Sequence, residues 1–354
     1  MSNAFVRPVR DALRRAASSR DVRRRMPPEI RYDADASVPG TVYYLSPDDN
    51  VPSGGIRMLY RHVDLLNATG RAAAILHAGR GFRADWFVND TRVLSARDVV
   101  LGPADLLVVP EFYGPGLGTL PAECRKVVFN QNAYQTFDRI PFAASGAGAP
   151  YAGVRSLQAL LTVSQDNAAL LRHAFPDLAV HLARVVVDER VFHPGGRAPG
   201  RRLGYMPRRR AGEQAQLLHI LRSRGCLEGW ELVAIDGLTE TQTAAALRGC
   251  AIFLSFSERE GFGLPPAEAM ASGAYVVGFT GLAGREYFDA RYCAPVAEAD
   301  LLAFALAAEQ ALRRYDEDPA ELTAAGRAAA GQILGRYHND GLRADLVAFY
   351  DSLR

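Results

Sequence analysis

The 354-residue sequence contains no apolar run of about 18 residues, so no transmembrane helix is expected. Its first residues lack the apolar core of a secretory signal, and a cytoplasmic location is expected. Cysteine is scarce. Cys124, Cys226, Cys250 and Cys293 show no C-x-x-C spacing, which argues against a disulfide framework or a zinc site. None of the seven histidines pairs at metal-ligand spacing, and His62, His77 and His173 sit within or beside helix and strand patterns as structural residues. Net charge is only +2, and no nucleic-acid partner is expected. With 49% hydrophobic and 23% charged residues the composition is that of a globular protein, and the length suits two domains.

The charge is unevenly placed. Residues 1–31 hold nine arginines (Arg7, Arg10, Arg14, Arg15, Arg20, Arg23, Arg24, Arg25, Arg31) against Asp11, Asp21 and Glu29. That balance of +6, against a total of +2, leaves −4 for the remainder. Such a leader reads first as a solvated helix or arm, and it also suits peripheral contact with an anionic membrane surface.

After the leader, short apolar runs alternate with helical patterns. TVYYL (41–45) precedes GGIRMLYRHVDLLNATG (54–70), whose apolar residues Ile56, Leu59, Tyr60, Val63 and Leu66 recur at helical spacing. AAAIL (72–76), DLLVVP (105–110), KVVFN (126–130) and ALLTVS (159–164) follow, with Ser164 placed to cap the next helix. VDERVFHPGGRAPGRR (187–202) reads as a linker. Beyond it the alternation restarts with RLGYM (202–206), ELVAID (231–236), AIFLS (251–255) and AYVVGF (274–279). Continuous apolar strands separated by helices predict parallel sheets covered on both faces. The expected organisation is a leader over 1–39, βα domains over 40–187 and 188–338, and a C-terminal helix over 339–354 packing back on the first domain. A ligand would sit in the cleft facing the strands' C-terminal ends.

EREGFGLPPAEAMASG (258–273) lies where that rule points, after AIFLS and ahead of a helix. Gly261 and Gly263 permit close backbone approach to a ligand, and Pro265–Pro266 suit a first helical turn. The helix start favours phosphate. Glu260 in the loop and Glu268 one turn into the helix can accept hydrogen bonds from the hydroxyl pairs of sugar and ribose.

This stretch resembles the E-x7-E signature of retaining glycosyltransferases of the GT-B fold, family 4 in particular, within a mostly uncharacterised bacterial group. The resemblance implies two Rossmann-like βα domains facing each other across a cleft. It further implies a UDP-, GDP- or dTDP-sugar donor, a hydroxyl acceptor of unknown identity, and transfer with retention, without metal or other cofactor. By motif, Glu260, Gly261, Phe262, Gly263 and Leu264 would border the donor sugar and diphosphate, and Glu268 would hold the ribose. Gly54 and Gly55 stand where such enzymes carry a glycine-rich loop facing the phosphates. Arg208 or Arg209, in GYMPRRRAGE (204–213), would neutralise the leaving diphosphate, although the lysine that the family usually places nearby is absent. Asn130, Gln131 and Asn132 occupy a position where related enzymes often have a histidine near the reacting sugar. Amides bind hydroxyls but take no proton near neutral pH, which leaves the proton acceptor unassigned. In the retaining mechanism the leaving phosphate can take that proton. Glu111, ending DLLVVP, is a further residue on the acceptor side.

Two other patterns point elsewhere. Asp33–Ala34–Asp35 matches a metal-binding D-x-D but lies in a loop before the first strand, and no metal is expected there. GPGLG (114–118) lacks the helix and acidic partner of a dinucleotide fingerprint. The alternatives to a transferase are a nucleotide-sugar epimerase of the same fold and a non-catalytic module binding nucleotide-sugar or glycan. An epimerase needs further acids and a histidine near the hexose, which the sequence does not place.

Overall fold

A strand that is apolar on both faces has to be covered on both, and the apolar runs do pair side by side in parallel with helices between them. The computed structural model describes residues 21–37, 39–138, 140–196 and 198–353. Arg7, Arg10, Arg14, Arg15 and Arg20 of the leader lie outside the described residues.

In the first domain, strands β2 (Val42–Leu45), β3 (Ala73–His77), β4 (Val93–Ser95), β6 (Leu106–Pro110), β7 (Lys126–Asn130), β8 (Leu157–Thr162) and β9 (Val180–Leu182) form one parallel sheet. Its order is β4-β3-β2-β6-β7-β8-β9. The second domain has β10 (Gly200–Tyr205), β11 (Glu231–Ala234), β12 (Cys250–Glu260), β13 (Tyr275–Leu282) and β14 (Ala294–Val296) in the order β11-β10-β12-β13-β14, again parallel. A separate pair, β1 (Arg31–Tyr32) with β5 (Val100–Leu101), ties the end of the leader to the first domain. Arg25 strengthens that tie, with Nε donating to Phe112 O at 2.8 Å. The described part of the leader is therefore attached structure.

Both sheets reverse strand order at one place, between β2 and β6 in the first and between β10 and β12 in the second. Loops diverge at such a switch point and leave a crevice at the strands' C-terminal ends. The Gly54–Ala68 helix follows β2, with Ser53 Oγ accepting from Ile56 N. Ser164 caps the Gln165–Ala174 helix. The apolar core is continuous from one domain to the other and includes Ile56 and Phe129 from the first and Phe253 and Phe262 from the second.

The Leu301–Glu317 and Pro319–Arg336 helices close the second domain, capped by Asp300 and Asp318. The chain then returns, and the Asn339–Ser352 helix packs on the first domain. Tyr350 Oη lies 2.6 Å from Tyr44 Oη, and Arg184 Nε donates to Asp345 at 2.7 Å. One strand outruns its expected end. β12 runs on to Glu260 because its ladder with β13 resumes there, pairing Glu260 with Leu282 after a register shift. Arg259, at φ +41°, forms the irregularity. Glu260 is thus a strand-end residue, where the sequence suggested a loop.

Candidate functional site

The two switch points face each other across a cavity of about 640 Å³. Its first-domain wall comes from the loop after β2 (Pro52 to Gly55), from Glu111 after β6, and from Gln131 and Asn132 after β7. Its second-domain wall comes from Arg208 and Arg209 after β10, from Ser255 to Ser257 along β12, and from Glu260 to Pro266 at its end and in the following turn.

The turn after β12 is built to hold its backbone in one place. Gly263 sits at φ +86°, a conformation that side-chain-bearing residues rarely adopt, and is the N-cap of the Leu264–Ala271 helix. Phe262 is buried with its ring 5.0 Å from that of Tyr287 and 4.8 Å from that of Tyr337. Tyr287 Oη lies 2.6 Å from Gly263 O. Pro265 and Pro266 occupy early helical positions and carry no N–H, so two of the four first-turn donors are missing. Anion attraction here falls to the helix dipole, the remaining N–H groups and the arginines opposite.

Gly261 and Gly54 do something the sequence did not show. A Cβ at Gly261 would lie 1.6 Å from the carbonyl oxygen of Gln131, and one at Gly54 would lie 2.5 Å from Leu264 Cδ1. Both glycines sit where one domain touches the other. Asn132 Nδ2 adds a bond across the boundary to Arg259 O at 3.0 Å, and Gln165 N donates to Glu286 Oε2 at 2.9 Å.

The three consecutive arginines divide. Arg209 Nε lies 3.1 Å from Glu260 Oε1, and Arg208 Nε lies 3.5 Å from Asp236 Oδ1. Both remain more than half exposed within the cleft. Arg210 turns away at φ +46°, pairs with Glu213 and Glu298, and lies over the Phe279 ring. Burial pushes the Glu260 carboxyl above its ordinary value, with Arg209 opposing.

Glu268 does not reach the cavity wall. It is buried, and Arg57 Nη2 from the first-domain helix donates to its Oε1 at 2.5 Å. The same guanidinium pairs with Glu240. Burial raises the Glu268 carboxyl, opposed by Arg57. Sequence reasoning missed Arg57 and Glu240. The available signal was that Arg57 stands three residues after Gly54, on the helical face that meets the other domain.

The acceptor-side residues also separate. Asn130 is fully buried, and its Nδ2 donates to Thr136 Oγ1 at 2.6 Å and Tyr151 Oη at 2.8 Å, so it faces the core. Gln131 Nε2 donates to Gly55 O at 3.1 Å at the cavity wall. Glu111 is buried at that wall, and burial pushes its carboxyl up to about 7.

The remaining patterns lie elsewhere. Asp33 Oδ1 accepts from Asp35 N at 3.0 Å in a local turn. GPGLG lies in the 3-10 helix Glu111–Thr119. His62 is buried against Tyr44, with burial holding it down at about 3, and His77 bonds to Tyr60 Oη at 2.7 Å. No group of three or more metal-ligating side chains occurs among the described residues. A second cavity of about 400 Å³ lies behind the β12 turn, with Phe288 and Ile333 among its lining residues.

No family model matches the chain. Solved structures do resemble it. Sucrose-phosphate synthase from Thermosynechococcus elongatus aligns with a TM-score of 0.65 at 12% identity, over 89% of this chain and 99% of its own. HepE from Anabaena, in complex with UDP-glucose, aligns with a TM-score of 0.65 at 12% identity, over 88% and 99%. TarM from S. aureus aligns with a TM-score of 0.53 at 14% identity, over 71% and 55%. These neighbours are GT-B glycosyltransferases, and the likeness establishes the fold as two Rossmann-like domains of that type. One curated protein, an alpha-1,6-glucosyltransferase from Actinobacillus pleuropneumoniae, is 53% identical over 49 residues. The match spans 14% of this chain and only 15% of that protein.

Proposed function

We propose that this GT-B chain is a glycosyltransferase that moves a sugar from a nucleotide-diphosphate donor to a hydroxyl acceptor, with retention at the anomeric carbon. The observation that carries the reading is the Arg209–Glu260 pair, 3.1 Å apart, in a cavity between two opposed switch points. A diphosphate leaving group needs fixed positive charge, which Arg208 and Arg209 supply, and sugar hydroxyls need an acceptor, which Glu260 supplies. In this reading Gly261 to Leu264 border the donor, with Gly54 and Gly55 opposite. Glu268 takes the ribose once Arg57 yields it. The arginines take the part a metal would play, so no metal is needed.

UDP-glucose is the first donor to try, because HepE binds it and the short curated match is to a glucosyltransferase. The acceptor fits polysaccharide, glycolipid or other glycoconjugate synthesis. No helix among the described residues is long and apolar enough to cross a membrane, and the arginine leader suits peripheral contact with an anionic surface on the cytoplasmic side. The test is nucleotide release from UDP-, GDP- and dTDP-sugars with and without an acceptor panel, with product anomers read by NMR. Glu260→Ala and Arg208→Ala should each lose turnover, and wild-type rates in both would sink the assignment. A non-catalytic module would bind nucleotide without releasing it.

A further inference from the structure

We propose that Glu111 receives the proton of the acceptor hydroxyl. The inference rests on the glycosyltransferase reading and supplies the group that the Asn130–Asn132 amides cannot. Strands β6 and β7 are neighbours, with Pro110 paired to Phe129, so the residue after β6 emerges beside the residues after β7. Glu111 Oε2 accepts from Gln131 N at 3.0 Å, and the N–H groups of Asn132 and of Glu111 itself lie near enough to favour its charged form. This backbone cradle fixes the group at the cavity wall opposite Glu260.

The other acids and bases near the cavity are occupied or badly placed. Glu260 pairs with Arg209 and Glu268 with Arg57. His62 and His77 are buried against tyrosines and do not line the cavity. Asp49 lines it from a half-exposed loop, where its Oδ1 accepts from Val51 N at 2.9 Å. Glu111 has no arginine or lysine within ion-pair distance among the described residues. The titratable groups that act on it are Arg25, from the segment before β1, and Tyr151, ahead of β8; Glu260, Arg208 and Arg209 stand across the cavity. Burial outweighs the cradle's N–H groups and lifts the carboxyl to about 7, so near neutral pH it can both accept and hold a proton.

In the step, the acceptor oxygen forms its bond to the anomeric carbon on the face from which the diphosphate departs, which keeps the configuration, while the bond from that carbon to the diphosphate oxygen breaks. The bonding pair leaves with the nucleoside diphosphate. The proton passes from the acceptor oxygen to the Glu111 carboxylate and afterwards to water.

The test uses the full chain and UDP-glucose, with water and a sugar-alcohol panel as acceptors, and follows UDP release from pH 5 to 9. Wild-type kcat/KM should rise with pH through a limb near 7. Glu111→Gln should fall by roughly 100-fold or more, lose the limb, and keep its UDP affinity by thermal shift. Glu111→Asp should restore part of the rate together with the limb. Wild-type turnover or an unchanged limb in Glu111→Gln overturns the proposal. UDP binding without turnover in the wild-type protein also overturns it and favours a binding module. Failure to bind or turn over any donor in a panel of UDP-, GDP- and dTDP-sugars overturns the transferase reading itself, and the proposal with it.

Discussion

Replacing Glu111 by glutamine tests the burial argument without any substrate. Burial raises this carboxyl from 4.5 to about 7. A carboxyl raised on folding favours the folded state below its unfolded value and loses that advantage as pH rises through its folded value. Stability should therefore fall between pH 4.5 and pH 7. At about 1.36 kcal/mol per pH unit, the full loss is about 3 kcal/mol above that window. Glutamine keeps the shape and carries no charge, but it offers one acceptor oxygen in place of two beside the Gln131 N–H, which costs about 1 kcal/mol. Glu111→Gln should therefore be more stable than wild type by about 2 kcal/mol at pH 8, and no more stable at pH 4.5. For a domain of this size that is roughly 4–8 °C in Tm. Thermal and urea melts of both proteins at pH 4.5, 6, 7 and 8 read it directly. A stability difference that does not change with pH, or a variant that is weaker at pH 8 than at pH 4.5, would refute the reasoning.

Arg57→Ala leaves buried Glu268 and half-buried Glu240 without their shared cation, and breaking such a buried pair costs about 3–5 kcal/mol. The loss, measured by urea melts, should be larger at pH 8 than at pH 5, because burial raises the Glu268 carboxyl and protonation relieves it. Gly261→Ala sets a Cβ against the Gln131 carbonyl and should force the domains apart. Small-angle scattering should show a larger radius of gyration, and donor turnover should be lost. Arg209→Ala removes one of two cations facing the proposed diphosphate position and should lower turnover about 10- to 100-fold. Excess EDTA should leave wild-type turnover unchanged, and inhibition by EDTA would show that the arginines do not suffice.

Most of the fold was legible because parallel strands buried on both faces write themselves as unbroken apolar runs. KVVFN begins and ends where β7 does, and the two domains restart the same alternation either side of the 187–202 segment. The edge strands β4, β9 and β14 were not legible, since three residues covered on one side leave too little pattern. The extension of β12 to Glu260 was hidden for another reason. It depends on pairing with Leu282, and no local feature of SERE announces that partner.

The site was legible in its residue types and less so in their partners. Glu260 and Arg209 meet, as charge opposite charge at two strand ends should. Glycines at 54 and 261 read locally as room for a ligand, yet the space beside each is taken by the opposite domain. Such contacts join residues far apart in sequence, and only the docked domains reveal them. The same docking brings Arg57 to Glu268, 211 residues away, in a buried pair that salt screens poorly. A ribose that is to reach buried Glu268 has to share it with that guanidinium or displace it, since Arg57 already holds Oε1. In the proposed reading, closure and ribose binding thus draw on one carboxylate, so the Arg57 contact at Glu268 Oε1 opposes donor binding.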